Sequence, residues 1–215
     1  MFKELGSSSF PRFLSLDLST TSCGYVYFYF CYEQKKILTE YGYVDISKKD
    51  KFYDKTVFLD EKLNFYFNSI NFVVLENYLL YFSAGKSNAK TITNLVFFSG
   101  YFESFLKFFY KKDVYRVSHV SALYRTIKNY RRKMSKDVSI FGDYSYDKGL
   151  SVSKVLAFNY MCENIDYKPF FKDEKKKFLS KYNFDIADAF VNGVFYLYSI
   201  RNEEKSKKIK KGKLS

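Results

Sequence analysis

Two acidic residues of this chain each follow a short apolar run that favours a β-strand. Asp17 comes directly after residues 13–16 (FLSL), and Glu76 comes directly after residues 72–75 (FVVL). Runs of this kind are typical of strands in the interior of a sheet, so both carboxylates are expected at the carboxyl ends of such strands. The pattern therefore favours a fold that brings these two strand ends to a common point.

Asp185 and Asp188 form a further acidic pair, in a segment whose apolar residues repeat with helical periodicity. A spacing of three residues places both side chains on one face of that helix. Mg²⁺ and Mn²⁺ prefer oxygen ligands, and two such ions about 3.5–4 Å apart need about four carboxylates. Three separate segments thus supply the acids for a two-ion site of the kind that cleaves phosphodiester bonds. The alternative for this pair is an interaction with the helix dipole, which does not account for the other two acids.

The charge of the chain favours a polyanionic partner. Its 36 Lys and Arg residues outnumber its 23 Asp and Glu residues, which gives a formal net charge of +13. Such a surplus is typical of proteins that bind DNA, RNA or an anionic membrane. A coding sequence rich in A and T also enriches Lys, Asn, Phe and Tyr, so part of the charge has this alternative origin. That origin does not account for the positions of the acids.

Composition and length favour one globular domain in the cytoplasm. The chain has 215 residues, of which 47% are hydrophobic, enough for a single core. Every apolar run is interrupted well before the roughly 18 residues of a membrane span, and the N-terminal segment lacks the apolar stretch of a secretory signal. The three cysteines have no paired spacing, which argues against a disulfide framework and against a zinc site. We therefore expect a cytoplasmic protein with reduced thiols and no membrane partner.

Periodicity predicts a meander of strands followed by alternating helices and strands. We expect strands over 13–18, 24–32 and 36–44, then helix 54–68, strand 71–75, helix 87–110, strand 114–117 and closing helices over 151–164 and 183–202. Residues 1–12 are expected to be a flexible leader, 13–202 a single domain and 203–215 a basic disordered tail. This order resembles the ribonuclease H-like fold, an α/β fold whose mixed five-stranded sheet carries helices on both faces. There the first strand is central and the fourth lies beside it, so Asp17 and Glu76 become neighbours.

Four motifs of the chain, in this order and spacing, resemble those of the RuvC-type Holliday junction resolvases. They are an acid with a turn and a Gly-aromatic pair, an acid after four apolar residues with a glycine in the next helix, a helical lysine, and an acid-x-Ala-acid-Ala motif. Their residues here are Asp17 with Gly24-Tyr25, Glu76 with Gly100, Lys154, and Asp185-Ile186-Ala187-Asp188-Ala189. Leu18-Ser19 stands where cellular members have Pro-Gly. The glycine-bearing stretch that the family has around the lysine is missing here, apart from Gly149. These departures point to a divergent branch encoded by a phage or virus, which would act in the bacterial or host-cell cytoplasm.

This resemblance implies a metal-dependent crossover junction endodeoxyribonuclease. It implies that Asp17 bridges two Mg²⁺ or Mn²⁺ ions per site and that Glu76, Asp185 and Asp188 complete their ligands. Lys154 is then expected to neutralise negative charge that develops on the phosphorane. The implied substrate is a four-way junction or another branched DNA of recombination and repair.

Residues outside the acidic motifs are predicted to contact DNA. A basic cluster is, beside a nuclease site, more typical of a phosphate-contacting surface than of a solvated face; its members are Arg125, Lys128, Arg131, Arg132, Lys133 and Lys136. Three aromatic residues that follow Glu76 are candidates to stack on an unpaired base, with a place in the core as the alternative; they are Tyr78, Tyr81 and Phe82. His119 is left out of the site because no other catalytic motif lies near it.

The helical segment over residues 94–110 is apolar nearly all the way round. A helix that packs only on its own sheet shows one apolar face, so we expect a second copy of the chain on the other face and a homodimer with two active sites. Two rival functions remain. The segment around Asp17 also resembles the phosphate-binding hairpin of sugar kinases and actin, although no second Gly-rich motif follows. The other rival is a non-catalytic basic DNA-binding module on the same fold, which would not need all four acids.

Overall fold

A mixed sheet forms the centre of the molecule. The computed structural model describes residues 10–77, 89–118, 144–147 and 149–212, with the backbone alone over 201–212. The sheet has five strands in the order β3-β2-β1-β4-β5, with bounds β1 (Phe13–Leu18), β2 (Ser22–Cys31), β3 (Lys36–Asp45), β4 (Phe72–Glu76) and β5 (Asp113–Val117). The first three form an antiparallel meander, whereas β4 pairs in parallel with both β1 and β5. The predicted fold class and the central place of the first strand are confirmed.

Helices cover both faces of this sheet. Successive strand residues point to opposite faces, and β1 and β4 carry apolar side chains on both of them. One face carries α1 (Phe52–Ser69) and α2 (Ala89–Phe109), and the other carries α3 (Val152–Asn164) and α4 (Tyr182–Gly212). In β1, Leu14 and Leu16 belong to the core under α1 and α2, whereas Phe13 belongs to the core under α3 and α4. Asp17 follows the alternation of Phe13, so its side chain leaves the sheet on the side of α3 and α4. Within the described part of the chain, no helix is long and apolar enough to cross a membrane.

Two glycines allow α4 to lie close to β1 and β2. A Cβ atom added to Gly24 of β2 would lie 2.7 Å from the backbone nitrogen of Ile186, nearer than real Cβ atoms come to such an atom. A Cβ atom added to Gly193 of α4 would lie 3.1 Å from the Cβ of Ser15 and nearer still to the ring of Phe28. The helix therefore crosses the centre of the sheet, with its first turns at the carboxyl end of β1.

Two features differ from the predicted elements. A short hairpin of β6 (Phe171–Asp173) and β7 (Phe178–Leu179) precedes α4, and its strands of three and two residues are too short to give a periodic pattern. The last helix continues to Gly212, so helical backbone covers residues 203–212, which were expected to lie in a disordered tail. Lys and Glu are good helix formers, and the extension of a packed helix needs no new nucleus.

Candidate active site

Asp17 lies near the carboxyl end of the central strand, beside a residue that has no side chain. It pairs with Gly24 of β2, and the parallel register of Leu16 with Leu75 places it next to Glu76 of β4. The missing Cβ at Gly24 lets the backbone of α4 approach the sheet at this point. Strands β1 and β4 and helix α4 therefore converge at Asp17.

Helix α4 contributes Asp185 and Asp188 from its first turns. The hydroxyl of Ser22 donates a hydrogen bond to Oδ2 of Asp185 at 2.8 Å, which orients that carboxylate from β2. At the start of the helix, the buried amide of Asn183 donates to the carbonyl of Phe170 at 2.7 Å and accepts from its N–H at 2.8 Å. These bonds fix the start of α4 and hence the position of both acids.

Glu76, the last residue of β4, lies among like charges. When it is protonated, its carboxyl group donates a hydrogen bond to the carboxylate of Asp17. Burial raises the pKa of Glu76 well above its ordinary value, and the charges of Asp17 and Asp188 raise it further, against an opposite effect of Lys154. Glu76 therefore retains a proton more readily than an exposed acid does, because burial and the neighbouring carboxylates both disfavour its ionised form.

Lys154 of α3 supplies positive charge to the acidic cluster. Its Nζ lies 3.4 Å from Oδ2 of Asp188 and 3.7 Å from Oδ1 of Asp185. Burial lowers the pKa of Lys154, but the charges of Asp188, Asp17 and Asp185 outweigh burial and raise it, so the amine stays protonated. Burial also raises the pKa of Asp188, to about 6, although Lys154 opposes this shift. The ammonium of Lys154 therefore already offsets part of the negative charge of these carboxylates.

The chemistry of the donor set suits hard divalent cations. Among the described residues, no three acidic, histidine or cysteine side chains form a group arranged to hold a metal ion. The acids nevertheless offer oxygen atoms alone, which Mg²⁺ and Mn²⁺ prefer. Burial raises the pKa of Glu76 and of Asp188, and neighbouring carboxylates raise both further, so a bound divalent cation would favour their ionised forms. The chemistry of these residues therefore fits such ions. Their side chains, in this structure, are arranged around the ammonium of Lys154.

The structure describes the residues predicted for catalysis but not those predicted for DNA binding. The catalytic set comes together at the carboxyl ends of β1 and β4; it comprises Asp17, Glu76, Lys154, Asp185 and Asp188. The DNA-binding set lies outside the described residues; it comprises Tyr78, Tyr81, Phe82, Arg125, Lys128, Arg131, Arg132, Lys133 and Lys136. His119 also lies outside them. The structure therefore gives the geometry of the catalytic set alone.

Sequence reasoning missed the residues that orient the acids. Ser22 is the first residue of β2 and Gly24 belongs to the motif of Asp17, but their contacts with Asp185 depend on the packing of α4 against β2. Arg116 of β5, 40 residues from Glu76 in the sequence, donates a hydrogen bond to its main-chain carbonyl at 3.2 Å. No motif or periodicity predicts this contact of Arg116. A glycine that pairs with an acid at a strand end does indicate that another element approaches the strand closely there.

Solved structures similar to this chain include Holliday junction resolvases. The yeast mitochondrial Holliday junction resolvase Ydc2 is 14% identical, with a TM-score of 0.55 over 86% of this chain and 77% of that chain. Thermus thermophilus RuvC, solved in complex with a Holliday junction substrate, is 10% identical, with a TM-score of 0.50 over 88% of this chain and 96% of that chain. No protein-family model and no curated protein sequence matches the chain.

This likeness defines the class of fold. The chain has the ribonuclease H-like fold that RuvC and the mitochondrial resolvase share, so the resemblance predicted from the four motifs is confirmed for the fold. At identities of 10% and 14%, function has to be inferred from the site itself.

Proposed function

We propose that this chain is a structure-selective endonuclease that cleaves four-way junctions or other branched DNA by metal-dependent phosphodiester hydrolysis. The observation that supports this most is the cluster of strand-end and helix acids around Lys154, at one edge of a ribonuclease H-like sheet. Buried carboxylates that disfavour one another's ionised forms cost stability, and such clusters are more typical of functional sites than of structural packing. A role in holding cations accounts for them.

In this proposal the four acids hold two Mg²⁺ or Mn²⁺ ions. Such ions, when bound, lower the pKa of a water molecule and stabilise the leaving oxygen. Asp17, Glu76, Asp185 and Asp188 would hold these ions; strand register places Asp17 next to Glu76 and opposite Gly24, where α4 approaches the sheet. Ser22 holds the carboxylate of Asp185 in one orientation before any ion binds. The ammonium of Lys154, 3.4 Å from Asp188, is available to neutralise charge on the phosphate oxygens as the bond to the leaving oxygen breaks.

The β6–β7 hairpin adds a basic surface suited to DNA phosphates. Lysines on and beside it are exposed; they are Lys168, Lys172, Lys175, Lys176, Lys177 and Lys181. Asn183 of α4 exchanges hydrogen bonds with Phe170, which directly precedes β6, so the hairpin is attached to the helix that carries Asp185. We propose that this hairpin contacts DNA phosphates, as the sequence predicts for the basic cluster over 125–136, which lies outside the described residues.

A second copy of the chain is proposed to pack on α2. One face of this helix is buried through Phe98, Phe102 and Leu106. Aromatic side chains on the other face are exposed, at 64%, 44%, 70% and 67% for Phe97, Tyr101, Phe108 and Phe109. A contiguous aromatic surface of this kind is typical of a protein interface. Because a four-way junction presents two strands to cut, a two-fold dimer with two sites fits this substrate.

A cleavage assay on a synthetic four-way junction tests the proposal. With Mg²⁺ or Mn²⁺ we expect cuts near the crossover, with EDTA none, and in a linear duplex of the same arm sequence none. Asp188→Asn should abolish cleavage while the protein still shifts the junction in a native gel. Failure to cut junctions, flaps and forks with either metal would contradict the nuclease function. Binding of the junction without any cutting would instead favour the non-catalytic DNA-binding module.

A further inference from the structure

Arg116 connects the end of β4 to α2, on the face of the sheet opposite to the acids. Its Nη1 donates hydrogen bonds to the main-chain carbonyl of Glu76 at 3.2 Å and to the hydroxyl of Ser99 at 3.0 Å. Its Nε and Nη2 lie 2.7 Å and 2.6 Å from Oε2 of Glu103. One guanidinium thus contacts a strand end and two residues that are one turn apart on α2.

The surroundings of this contact strengthen it. The side chains of Arg116 and Glu103 are 23% and 19% exposed, so water screens their charges less than those of a surface pair. Burial raises the pKa of Glu103, but hydrogen bonds from Lys107 and Arg116 outweigh burial and lower it, so the carboxylate stays ionised. The planar fork of an arginine also suits several fixed acceptors, which a single ammonium does not match.

Glu76 ends β4, so the position of its carboxylate depends on how this strand end is held. As the last residue of β4, it is supported by β5 through its pairing with Val117 and through the hydrogen bond from the Asn77 N–H to the Val117 carbonyl at 2.7 Å. A shift of this strand end would move the carboxylate relative to Asp17, and a displacement of about 1 Å costs on the order of 100-fold in rate.

We propose that Arg116 is a positioning residue, which holds the carbonyl of Glu76 against α2 and thereby sets where the Glu76 carboxylate lies. This inference rests on the proposed nuclease function and adds to it a residue on the opposite face of the sheet. Ser99 and Glu103 anchor the guanidinium in α2. The effect of Arg116 is therefore expected in the cleavage rate and in the backbone at the end of β4, and not in the affinity for DNA.

The test compares Arg116→Gln with the matched control Lys107→Gln. Lys107 also bonds to Glu103, at 2.6 Å, but does not contact Glu76. Amide hydrogen exchange at Asn77, followed by NMR in the metal-free protein, should become about 10-fold faster in Arg116→Gln and stay within about two-fold of wild type in the control. The single-turnover cleavage rate should fall at least about 10-fold in Arg116→Gln, with a higher Mg²⁺ requirement, while junction affinity in EDTA stays within about two-fold.

Arg116→Lys gives a second measurement if Arg116→Gln folds poorly, because it keeps the charge but not the planar fork. It should show the same changes to a smaller extent. Unchanged exchange at Asn77 in both Arg116 variants, or equal effects in Lys107→Gln, would overturn the positioning role. If the wild-type protein cuts no branched DNA, the proposed function fails, whereas exchange at Asn77 still decides the role of Arg116.

Discussion

Replacing Asp17 with Asn keeps the shape of the side chain but removes an anionic oxygen that a divalent cation requires. We expect the cleavage rate to fall by about 1,000-fold or more, because loss of the proposed ions would remove both the activated water and the stabilisation of the leaving group. Binding of the junction should survive, since the proposed phosphate contacts are made by basic residues and not by Asp17. In metal-free buffer the melting temperature should hold or rise, because Asp17 no longer repels Glu76.

The control for this change is Glu33→Gln, which neutralises an exposed acid in the turn between β2 and β3. It should leave the rate, the affinity and the melting temperature unchanged. An Asp17→Asn protein that cuts a four-way junction at nearly the wild-type rate would end this interpretation of the site.

The acids also predict how the stability of the metal-free protein depends on pH. The pKa of Asp188 is about 6 in the folded protein against an ordinary value of 3.8, so the folded state binds more protons between these values. The stabilisation is fully present below the ordinary value and is lost as the pH rises through about 6. The raised pKa of Glu76 acts in the same direction.

Melting temperatures in EDTA, measured from about pH 4 to about pH 7, check this prediction. We expect a fall in the wild type, a smaller fall in Asp188→Asn, and recovery of the wild type on addition of Mg²⁺ at neutral pH. A wild-type curve with no greater fall than that of Asp188→Asn would show that Asp188 titrates normally.

Among the secondary-structure elements, the distance between α4 and the sheet depends on Gly24. A side chain there would overlap the backbone of Asp185 and Ile186, so Gly24→Ala should destabilise the fold by about 1–3 kcal/mol and lower the cleavage rate. Gly100→Ala in α2 is the matched control, because a Cβ there meets nothing within 4 Å. It should stabilise the helix by about 0.5–1 kcal/mol. The free energy of unfolding of both variants, measured in urea, tests this prediction. Equal stability of Gly24→Ala and wild type would refute the close approach of α4 to the sheet.

The β6–β7 hairpin is predicted to contribute to DNA affinity without affecting chemistry. Changing Lys175, Lys176 and Lys177 together to Gln should flatten the log–log dependence of junction affinity on salt by about 0.9 for each phosphate that is no longer neutralised. The cleavage rate at saturating enzyme should not change. The triple Arg variant keeps the charges and should bind like the wild type. Fluorescence anisotropy over a range of NaCl concentrations measures the slope, and an unchanged slope would show that these lysines are only solvated.

For the whole molecule, the exposed aromatic face of α2 predicts a homodimer. Phe97→Glu places a charge on this face and should shift the protein towards monomer in analytical ultracentrifugation at micromolar concentration. Phe65→Glu is the matched control, since Phe65 of α1 is 73% exposed and lies on another helix. In the monomeric variant, the two strands of a junction should be cut independently. A wild type that sediments as a monomer would contradict the proposed dimer.

The path of the chain and the positions of the acids were largely predictable because they depend on local pattern. The apolar run before Asp17 is buried on both faces since helices cover both sides of β1, and the run before Glu76 is buried for the same reason. A spacing of three residues was enough to place Asp185 and Asp188 on one face of a helix. The roles of these acids in metal binding and of the basic cluster over 125–136 in DNA contact stay predictions.

The contacts that orient the acids were decided by the tertiary structure. Ser22 and Asp185 are 163 residues apart in sequence, and Arg116 and Glu76 are 40 apart. A local pattern encodes which side of an element is buried, but it carries no information on which distant atom lies opposite. That partner follows from strand register and from how closely α4 packs on β2, which Gly24 makes possible. The sequence alone therefore determined which acids could act, and the packing of α4 and β5 against the sheet determined how they are held.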